Sequence, residues 1–157
     1  MGKITEKEHN IYRLSENNHK NNSFTILLAE DDKEMRGLLT LMLRKEGYQV
    51  CECVDGLSLL DMLSSFFLPD EEHENFDLII SDIRMPGVTG MEILMGANEL
   101  EDFPPIILIT AFGDKETHMQ AERLGAVALL DKPFDIDEML MKVRAILPPR
   151  HNRSRRL

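Results

Sequence analysis

Short apolar runs alternate with amphipathic stretches along most of this chain. The apolar runs predict β-strands at residues 24–29, 48–54, 76–81, 105–110 and 126–130. Between and after them, apolar side chains recur at intervals of three and four residues, and this spacing predicts helices at roughly 33–46, 57–67, 89–100, 114–124 and 135–147. The alternation indicates an α/β fold, because parallel strands need helical crossovers, which cover both faces of the sheet.

Local start and stop signals set the bounds of the predicted helices. In the first helix, Gly47 follows the last apolar position and predicts the end of the helix. In the last helix, Asp135 is a predicted N-cap, with Glu138 three residues later as in a capping box. Pro148 and Pro149 predict the end of that helix.

Length and composition are those of one domain with polar ends. The chain has 157 residues, of which 43% are hydrophobic, enough to fill one core. We expect the domain at 23–147, a disordered or loosely helical N-terminal extension at 1–22, and a basic C-terminal tail or linker remnant at 148–157. Because the chain shows no signal-peptide core and no apolar run near the ~20 residues that cross a bilayer, we expect a soluble, cytoplasmic protein.

The charge of the predicted domain argues against one class of partner. Residues 24–147 contain 10 Lys and Arg against 25 Asp and Glu, a net charge of −15. So acidic a body repels the phosphates of nucleic acids, so we expect no direct binding to DNA or RNA. Cys51 and Cys53 fall on one face of a predicted strand, a poor geometry for a disulfide, and we expect both to be reduced.

Carboxylates follow two of the predicted strands. Glu30, Asp31 and Asp32 come directly after the first strand, and Asp82 comes directly after the third. Ligand sites in open α/β sheets gather at the carboxyl ends of the strands. Carboxylates meeting there are explained by a hard divalent cation such as Mg²⁺, which takes oxygen ligands.

Two further polar residues occupy equivalent positions. Thr110 ends the fourth predicted strand, and Lys132 follows the fifth. A pocket that combines carboxylates, a hydroxyl and an ammonium group suits a phosphoryl group on Asp82. In such a pocket Mg²⁺ and Lys132 neutralise the phosphoryl oxygens and Thr110 donates a hydrogen bond.

Taken together, these motifs resemble the receiver domain of two-component response regulators. The resemblance covers about four-fifths of the chain and rests on four motifs in order, which are the acidic cluster, Asp82 with Met85-Pro86-Gly87, Thr110-Ala111 and Lys132-Pro133-Phe134. It implies a flavodoxin-like (βα)5 three-layer sandwich with a parallel sheet of strand order 2-1-3-4-5. It also implies a phosphoprotein that is not an enzyme beyond self-phosphotransfer and autodephosphorylation.

The resemblance assigns a role to each candidate residue. Asp82 would accept a phosphoryl group from a histidine kinase or a histidine phosphotransfer protein, and Lys132 would contact its oxygens, with the Lys-Pro bond commonly cis. Asp31 would bind Mg²⁺ directly, Glu30 directly or through water, and Asp82 and the backbone carbonyl of Arg84 would complete the protein ligands. Asp32 lies one position past the usual acidic pair and ranks below the others.

The output side departs from the family pattern at one position. The expected output surface spans residues 113–147, and a homodimer through it is one arrangement that the resemblance allows. Leu129 stands where the family often has an aromatic that rotates behind the threonine. We hypothesise that Leu129 weakens or alters this coupling. Arg84 and Phe112 flank the pocket, and we expect them to slow the loss of the phosphoryl group.

The sequence leaves alternatives open. The chain could be a stand-alone receiver, or the receiver portion of a longer DNA-binding or ATPase regulator. The downstream partner is accordingly either a separate effector protein or an output domain. A more distant alternative is a phosphatase with an aspartyl nucleophile, which places a second Asp two residues after the first. Arg84 occupies that position here, which disfavours the phosphatase.

Overall fold

Five short strands form a single parallel sheet in the computed structural model, which describes residues 23–68, 72 and 75–149. The strands are β1 (Thr25–Ala29), β2 (Gln49–Cys53), β3 (Leu78–Asp82), β4 (Ile106–Thr110) and β5 (Ala128–Asp131). Every residue of β1, β3 and β4 is buried, which explains why those strands are apolar on both faces rather than alternating.

Five helices connect and follow the strands. They are α1 (Lys33–Lys45), α2 (Gly56–Leu63), α3 (Gly90–Ala97), α4 (Lys115–Arg123) and α5 (Ile136–Ile146). The predicted second helix ends early, and its last residues form a 3-10 turn at Ser64–Phe67. The third helix ends at Ala97 rather than at residue 100, because Gly96 and the C-cap residue Asn98 are weak helix formers.

Side-chain caps fix where each helix begins. In α1, α2 and α4 an aspartate accepts a hydrogen bond from the main-chain N–H three residues later, and Thr89 does the same for α3. Asp135 is the N-cap of α5, as predicted, although its carboxylate accepts from the N–H of Asp137. The caps lie in loops that follow the strands, so they also shape the edge of the sheet where the predicted site residues are.

The strand order is β2-β1-β3-β4-β5, as expected for the flavodoxin-like fold. The register aligns the carboxyl ends of the central strands, with Ala29 opposite Ser81 and Asp82 opposite Ile109. On the far side of β4, Thr110 pairs with Asp131. Residues that follow β1, β3, β4 and β5 therefore meet at one edge of the sheet.

Apolar side chains fill a core on each face of the sheet. Side chains from α1 and α5 pack on one face, around Leu39, Leu43 and Val143. Side chains from α2, α3 and α4 pack on the other, where Cys53 is buried and Cys51 packs against the core edge. Burial of each large side chain contributes roughly 1.5–3 kcal/mol, so the two cores stabilise the packing of the helices against the sheet that carries the site.

The two predicted terminal segments fall largely outside the described residues. The extension predicted at 1–22 lies outside them, as do residues 150–157 of the tail predicted at 148–157. Within the part of the chain that the structure describes, no helix combines the length and the hydropathy needed to cross a bilayer.

Candidate functional site

Three carboxylates meet at the carboxyl ends of β1 and β3. Glu30, Asp31 and Asp82 each place one carboxylate oxygen within 4.8 Å of the others. Glu30 is 0% exposed and Asp82 is 4% exposed, whereas Asp31 faces solvent. Two buried acids and one accessible acid form a concentrated negative charge with a solvent-facing side.

Lys132 partly neutralises that charge. Its Nζ atom lies 2.6 Å from Asp82 Oδ2 and 3.0 Å from Glu30 Oε2. Burial opposes the charge on Lys132, but the hydrogen bonds to the two carboxylates outweigh it, so the pKa of the ammonium group lies above its usual value. Lys132 is therefore a fixed cation at the bottom of the site, and its peptide bond to Pro133 is cis.

Burial dominates the titration of Glu30. It raises the pKa of the Glu30 carboxyl, and the nearby Asp82 charge adds to the rise, while the hydrogen bonds from Lys132 and from the Asp32 N–H act in the opposite direction. One lysine thus serves two buried carboxylates. The site retains an excess of negative charge that a divalent cation can neutralise.

Main-chain donors fix the second oxygen of each buried acid. The Arg84 N–H donates to Asp82 Oδ1 at 3.0 Å, and the Asp32 N–H donates to Glu30 Oε1 at 3.1 Å. Asp82 therefore has one oxygen bound to a lysine and the other to a peptide group. Its side chain is held in one orientation by the loop that follows β3.

Asp32 lies outside the cluster of three carboxylates. Its side chain caps α1 by accepting from the Met35 N–H at 2.7 Å, while its own N–H serves Glu30. The sequence indicates this capping role, since Asp is a preferred N-cap residue and a helix begins at the next residue, Lys33. The Asp32 carboxylate therefore caps α1, and the cluster of three carboxylates contains Glu30 and Asp31 but not Asp32.

Thr110 lies beside the cluster, at the end of β4. It is buried, its Oγ1 accepts from the Phe112 N–H at 3.2 Å, and its carbonyl accepts from the Lys132 N–H at 2.7 Å. The main chains that carry Thr110 and Lys132 are therefore tied together. No described hydrogen bond joins the Thr110 hydroxyl to Asp82.

Two contacts near the site were not anticipated from the sequence. The Arg84 guanidinium lies 4.5 Å from the centre of the Phe112 ring, a cation–π contact between the loops after β3 and β4. His118 in α4 bonds through Nε2 to both carboxylate oxygens of Asp131, at 2.8 and 3.0 Å. The sequence places Arg84 and Phe112 at the pocket but does not show that they touch, and no motif links His118 to Asp131.

The donor set suits a hard cation. The cluster supplies three carboxylates within reach of one another and no nitrogen or sulfur ligand. Oxygen-only sites with an open, solvated side are typical of Mg²⁺, which keeps several of its waters. The residues present therefore fit Mg²⁺.

The chain belongs to the response regulator receiver domain family, whose model matches residues 26–144. The expected family, fold and strand order are thereby confirmed. Receiver domains of two-component systems are phosphoryl acceptors rather than enzymes that turn over a substrate, and they act with histidine kinases and output domains.

Curated relatives differ in how much of their length this chain spans. It is 34% identical to sporulation initiation phosphotransferase F of Bacillus subtilis, over 81% of this chain and 96% of that protein. It is 33% identical to the transcriptional regulatory protein CpxR of Escherichia coli, over 80% of this chain and 50% of that protein. The chain thus spans nearly all of the first relative and about half of the second.

Solved structures give the same picture of the fold. The response regulator TrrA of Thermotoga maritima, in complex with Mg²⁺ and BeF, aligns with a TM-score of 0.65 and 30% identity, over 79% of this chain and 99% of that one. The chemotaxis protein CheY4 of Vibrio cholerae aligns with a TM-score of 0.66 and 27% identity, over 80% and 99% of the two chains.

Replacing Lys132 by methionine should destabilise the metal-free protein. The substitution leaves Asp82 and Glu30 buried without their cation, and we expect a loss of about 2–3 kcal/mol, less than for a fully buried pair because the lysine side chain is 21% exposed. Added Mg²⁺ should recover part of this loss and should bind more tightly than to the wild type, because a competing cation has gone. Urea unfolding with and without Mg²⁺ measures both effects. An unfolding midpoint unchanged by the substitution would show that Lys132 does not neutralise the cluster.

Proposed function

We propose that Asp82 accepts a phosphoryl group from a histidine kinase or a histidine phosphotransfer protein in a Mg²⁺-dependent reaction. The observation that carries the proposal is the environment of Asp82. This carboxylate is almost fully buried and hydrogen-bonded to Lys132 and to a main-chain N–H, and it lies within 4.8 Å of a carboxylate oxygen of each of two further acids. A carboxylate that served only the fold would not need two more acids beside it.

The chemistry is a transfer between two nucleophiles. A carboxylate oxygen of Asp82 forms a bond to phosphorus as the phosphorus–nitrogen bond of the donor phosphohistidine breaks, and the bonding electrons remain on the imidazole nitrogen. Lys132 is placed to neutralise the phosphoryl oxygens. Asp82 and Glu30 are buried, and the lower dielectric around them strengthens these interactions.

Glu30, Asp31, Asp82 and the backbone carbonyl of Arg84 are the proposed Mg²⁺ ligands. When bound, the ion supplies positive charge to the transferring phosphoryl group. The oxygen-only cluster and the Mg²⁺-bound relative TrrA support this assignment.

The proposed output runs through Thr110 to the surface formed by α4, β5 and α5. Thr110 is buried next to the site, and its carbonyl is already bonded to the Lys132 main chain, so movement of one loop is transmitted to the other. Leu129 is half-buried and packs against the core on the α4 side. A comparison of NMR chemical shifts with and without beryllofluoride tests whether this leucine weakens the displacement of α4.

The partner of that surface is a downstream effector or an output domain. Relatives of both kinds exist, since the chain spans 96% of sporulation initiation phosphotransferase F and 50% of CpxR. In either case we propose that residues 23–147 form the receiver domain. We also propose that it acts in the cytoplasm, together with soluble phosphotransfer partners.

Phosphoryl incorporation from acetyl phosphate tests the proposed function. We expect one phosphoryl group per chain, dependent on Mg²⁺ and abolished by chelation. Steady turnover of phosphomonoesters without a stable phosphoprotein would favour the aspartyl phosphatase instead. Absence of both reactions would contradict the proposal.

The Arg84–Phe112 contact should lengthen the life of the phosphoryl group. The contact joins the loops after β3 and β4, which flank the pocket. Phe112 is 65% exposed, so its ring lies on the solvent side of the pocket and can obstruct an attacking water. We expect the wild type to lose phosphate over hours, and Arg84→Ala and Phe112→Ala each to lose it faster. A radiolabel time course measures the rates. Rapid loss in the wild type that neither substitution alters would refute the proposed shielding.

A further inference from the structure

The Arg36 side chain contacts the acidic pair, Glu30 and Asp31, at a main-chain carbonyl rather than at a carboxylate. Its Nη1 atom donates to the carbonyl oxygen of Glu30 at 2.8 Å, and the side chain is only 14% exposed. That carbonyl belongs to the peptide group that joins Glu30 to Asp31. Because the peptide group is planar, holding the oxygen also orients the N–H and Cα of Asp31.

A second group holds the other side of Glu30. The Glu30 N–H donates to the carbonyl of Cys53 at 3.2 Å, which extends the pairing of β1 with β2 by one residue. The peptide groups before and after Glu30 are thus both fixed, one by β2 and one by Arg36. Asp31 follows these two fixed peptide groups directly, and it is the exposed member of the carboxylate cluster.

Glu52 of β2 holds the arginine in turn. Arg36 Nε lies 3.7 Å from Glu52 Oε1, and the same oxygen accepts from the Thr40 hydroxyl at 2.9 Å. Thr40 and Arg36 are one turn apart in α1, so Glu52 bridges two residues of the helix to the edge strand. The negative charge of Glu52 also offsets the arginine charge, which by itself would repel a cation at the site.

We propose that Arg36, held by Glu52, is a positioning residue that sets the orientation of the Glu30–Asp31 peptide and thereby the affinity of the site for a divalent cation. The inference rests on the proposed function, since it takes Glu30, Asp31 and Asp82 as the Mg²⁺ ligands. It adds a residue that touches neither the phosphoryl group nor the metal.

The direction in which Arg36→Met changes Mg²⁺ affinity distinguishes a positioning role from a simple charge effect. If Arg36 acted only as a nearby cation, Arg36→Met would remove a repulsion and tighten Mg²⁺ binding. If it positions the ligands, Arg36→Met weakens binding. We expect a roughly tenfold loss of Mg²⁺ affinity, the lower end of the effect of losing an outer-sphere partner. Glu52→Gln should weaken binding in the same direction by less, because the arginine remains.

Isothermal titration calorimetry with Mg²⁺ is the measurement, and the chain supplies a matched control. Arg144 forms a similar pair with Glu46 at 2.7 Å, at the C-cap of α1. Arg144→Met therefore removes an arginine–glutamate pair without touching the site, and it should lower thermal stability but leave Mg²⁺ affinity unchanged. Arg36→Lys keeps the charge and the aliphatic stem but loses the fork of donors, so it should fold and still bind Mg²⁺ more weakly than the wild type.

Two further results complete the test. The Asp31 amide resonance of the metal-free protein should shift in Arg36→Met and Arg36→Lys but not in Arg144→Met. The double variant Arg36→Met/Glu52→Gln should bind no more weakly than Arg36→Met, since the two residues act as one unit. Mg²⁺ affinity equal to or greater than that of the wild type in folded Arg36→Met and Arg36→Lys would overturn the inference. Mg²⁺ binding that is absent in the wild type, or unaffected by Asp82→Asn, would instead overturn the proposed function and this inference with it.

Discussion

Asp82→Asn is expected to reduce phosphoryl incorporation from acetyl phosphate to background. Asparagine has the shape of aspartate, so the fold is kept, but its amide is not a nucleophile toward phosphorus. The other two acids of the cluster, Glu30 and Asp31, follow β1 rather than β3, so neither occupies the position of the Asp82 carboxylate. Phosphoprotein gels with radiolabelled acetyl phosphate measure the incorporation.

The same variant carries an independent stability readout. Asp82→Asn removes one of three crowded carboxylates, so the metal-free protein should become more resistant to urea. The wild type should gain about 1.4 kcal/mol at a Mg²⁺ concentration ten times its dissociation constant, and the variant should gain little. Asp102→Asn, an exposed aspartate in the loop before β4, is the control and should behave as the wild type. Undiminished incorporation in Asp82→Asn would mean that another residue is the acceptor.

Gly56→Ala should be among the most destabilising single-methyl additions in this protein. A Cβ atom at Gly56 would lie 1.6 Å from the carbonyl oxygen of Val88. Because this oxygen belongs to the main chain, it cannot move away by a change of side-chain rotamer. We expect a loss of about 3 kcal/mol or more, a large share of the stability of a domain of this size. Urea unfolding followed by circular dichroism measures it.

Gly37→Ala provides the opposite result in the same assay. Gly37 lies inside α1, and nothing is within 4 Å of the position a Cβ would take. Alanine is the better helix former, so this substitution should stabilise the protein by about 0.5–1 kcal/mol. Equal unfolding midpoints for the two variants would show that the contact between α2 and the loop after β3 is not close.

The same contact bears on the site. The Gly56 N–H donates to the Pro86 carbonyl at 3.2 Å, and Leu57 packs against Gly87, whose φ of +87° suits glycine. The start of α2 therefore braces the loop that carries Arg84 and positions the Asp82 carboxylate. The folded fraction of Gly56→Ala should accordingly bind Mg²⁺ more weakly than the wild type.

Hydrophobic patterning predicted the sheet and its helices because burial on both faces leaves a clear trace in the sequence. The gathering of Glu30, Asp31, Asp82 and Lys132 was also predictable, since the ends of parallel strands share one edge. The predicted end of α3, at residue 100, was wrong by three residues. Apolar spacing continues past Gly96 and Asn98, the weak helix formers at which the helix ends. Helix bounds depend on such local propensities, which patterning averages out.

Contacts that involve main-chain groups or distant loops could not be predicted. Arg36 binds a carbonyl oxygen, which every residue possesses, so no residue type marks its partner. Arg84 and Phe112 meet because two separate loops converge, and the sequence shows only that each flanks the pocket. Asp32 was ambiguous because the same residue type serves as a metal ligand and as an N-cap.

Locating the phosphoryl group tests the central claim most directly. Protein treated with acetyl phosphate and Mg²⁺ can be reduced with borohydride, which converts an acyl phosphate of aspartate to homoserine, and then sequenced by mass spectrometry. We predict homoserine at position 82, and none there without Mg²⁺. Homoserine at another aspartate, or a product at position 82 that forms equally well without Mg²⁺, would contradict the account.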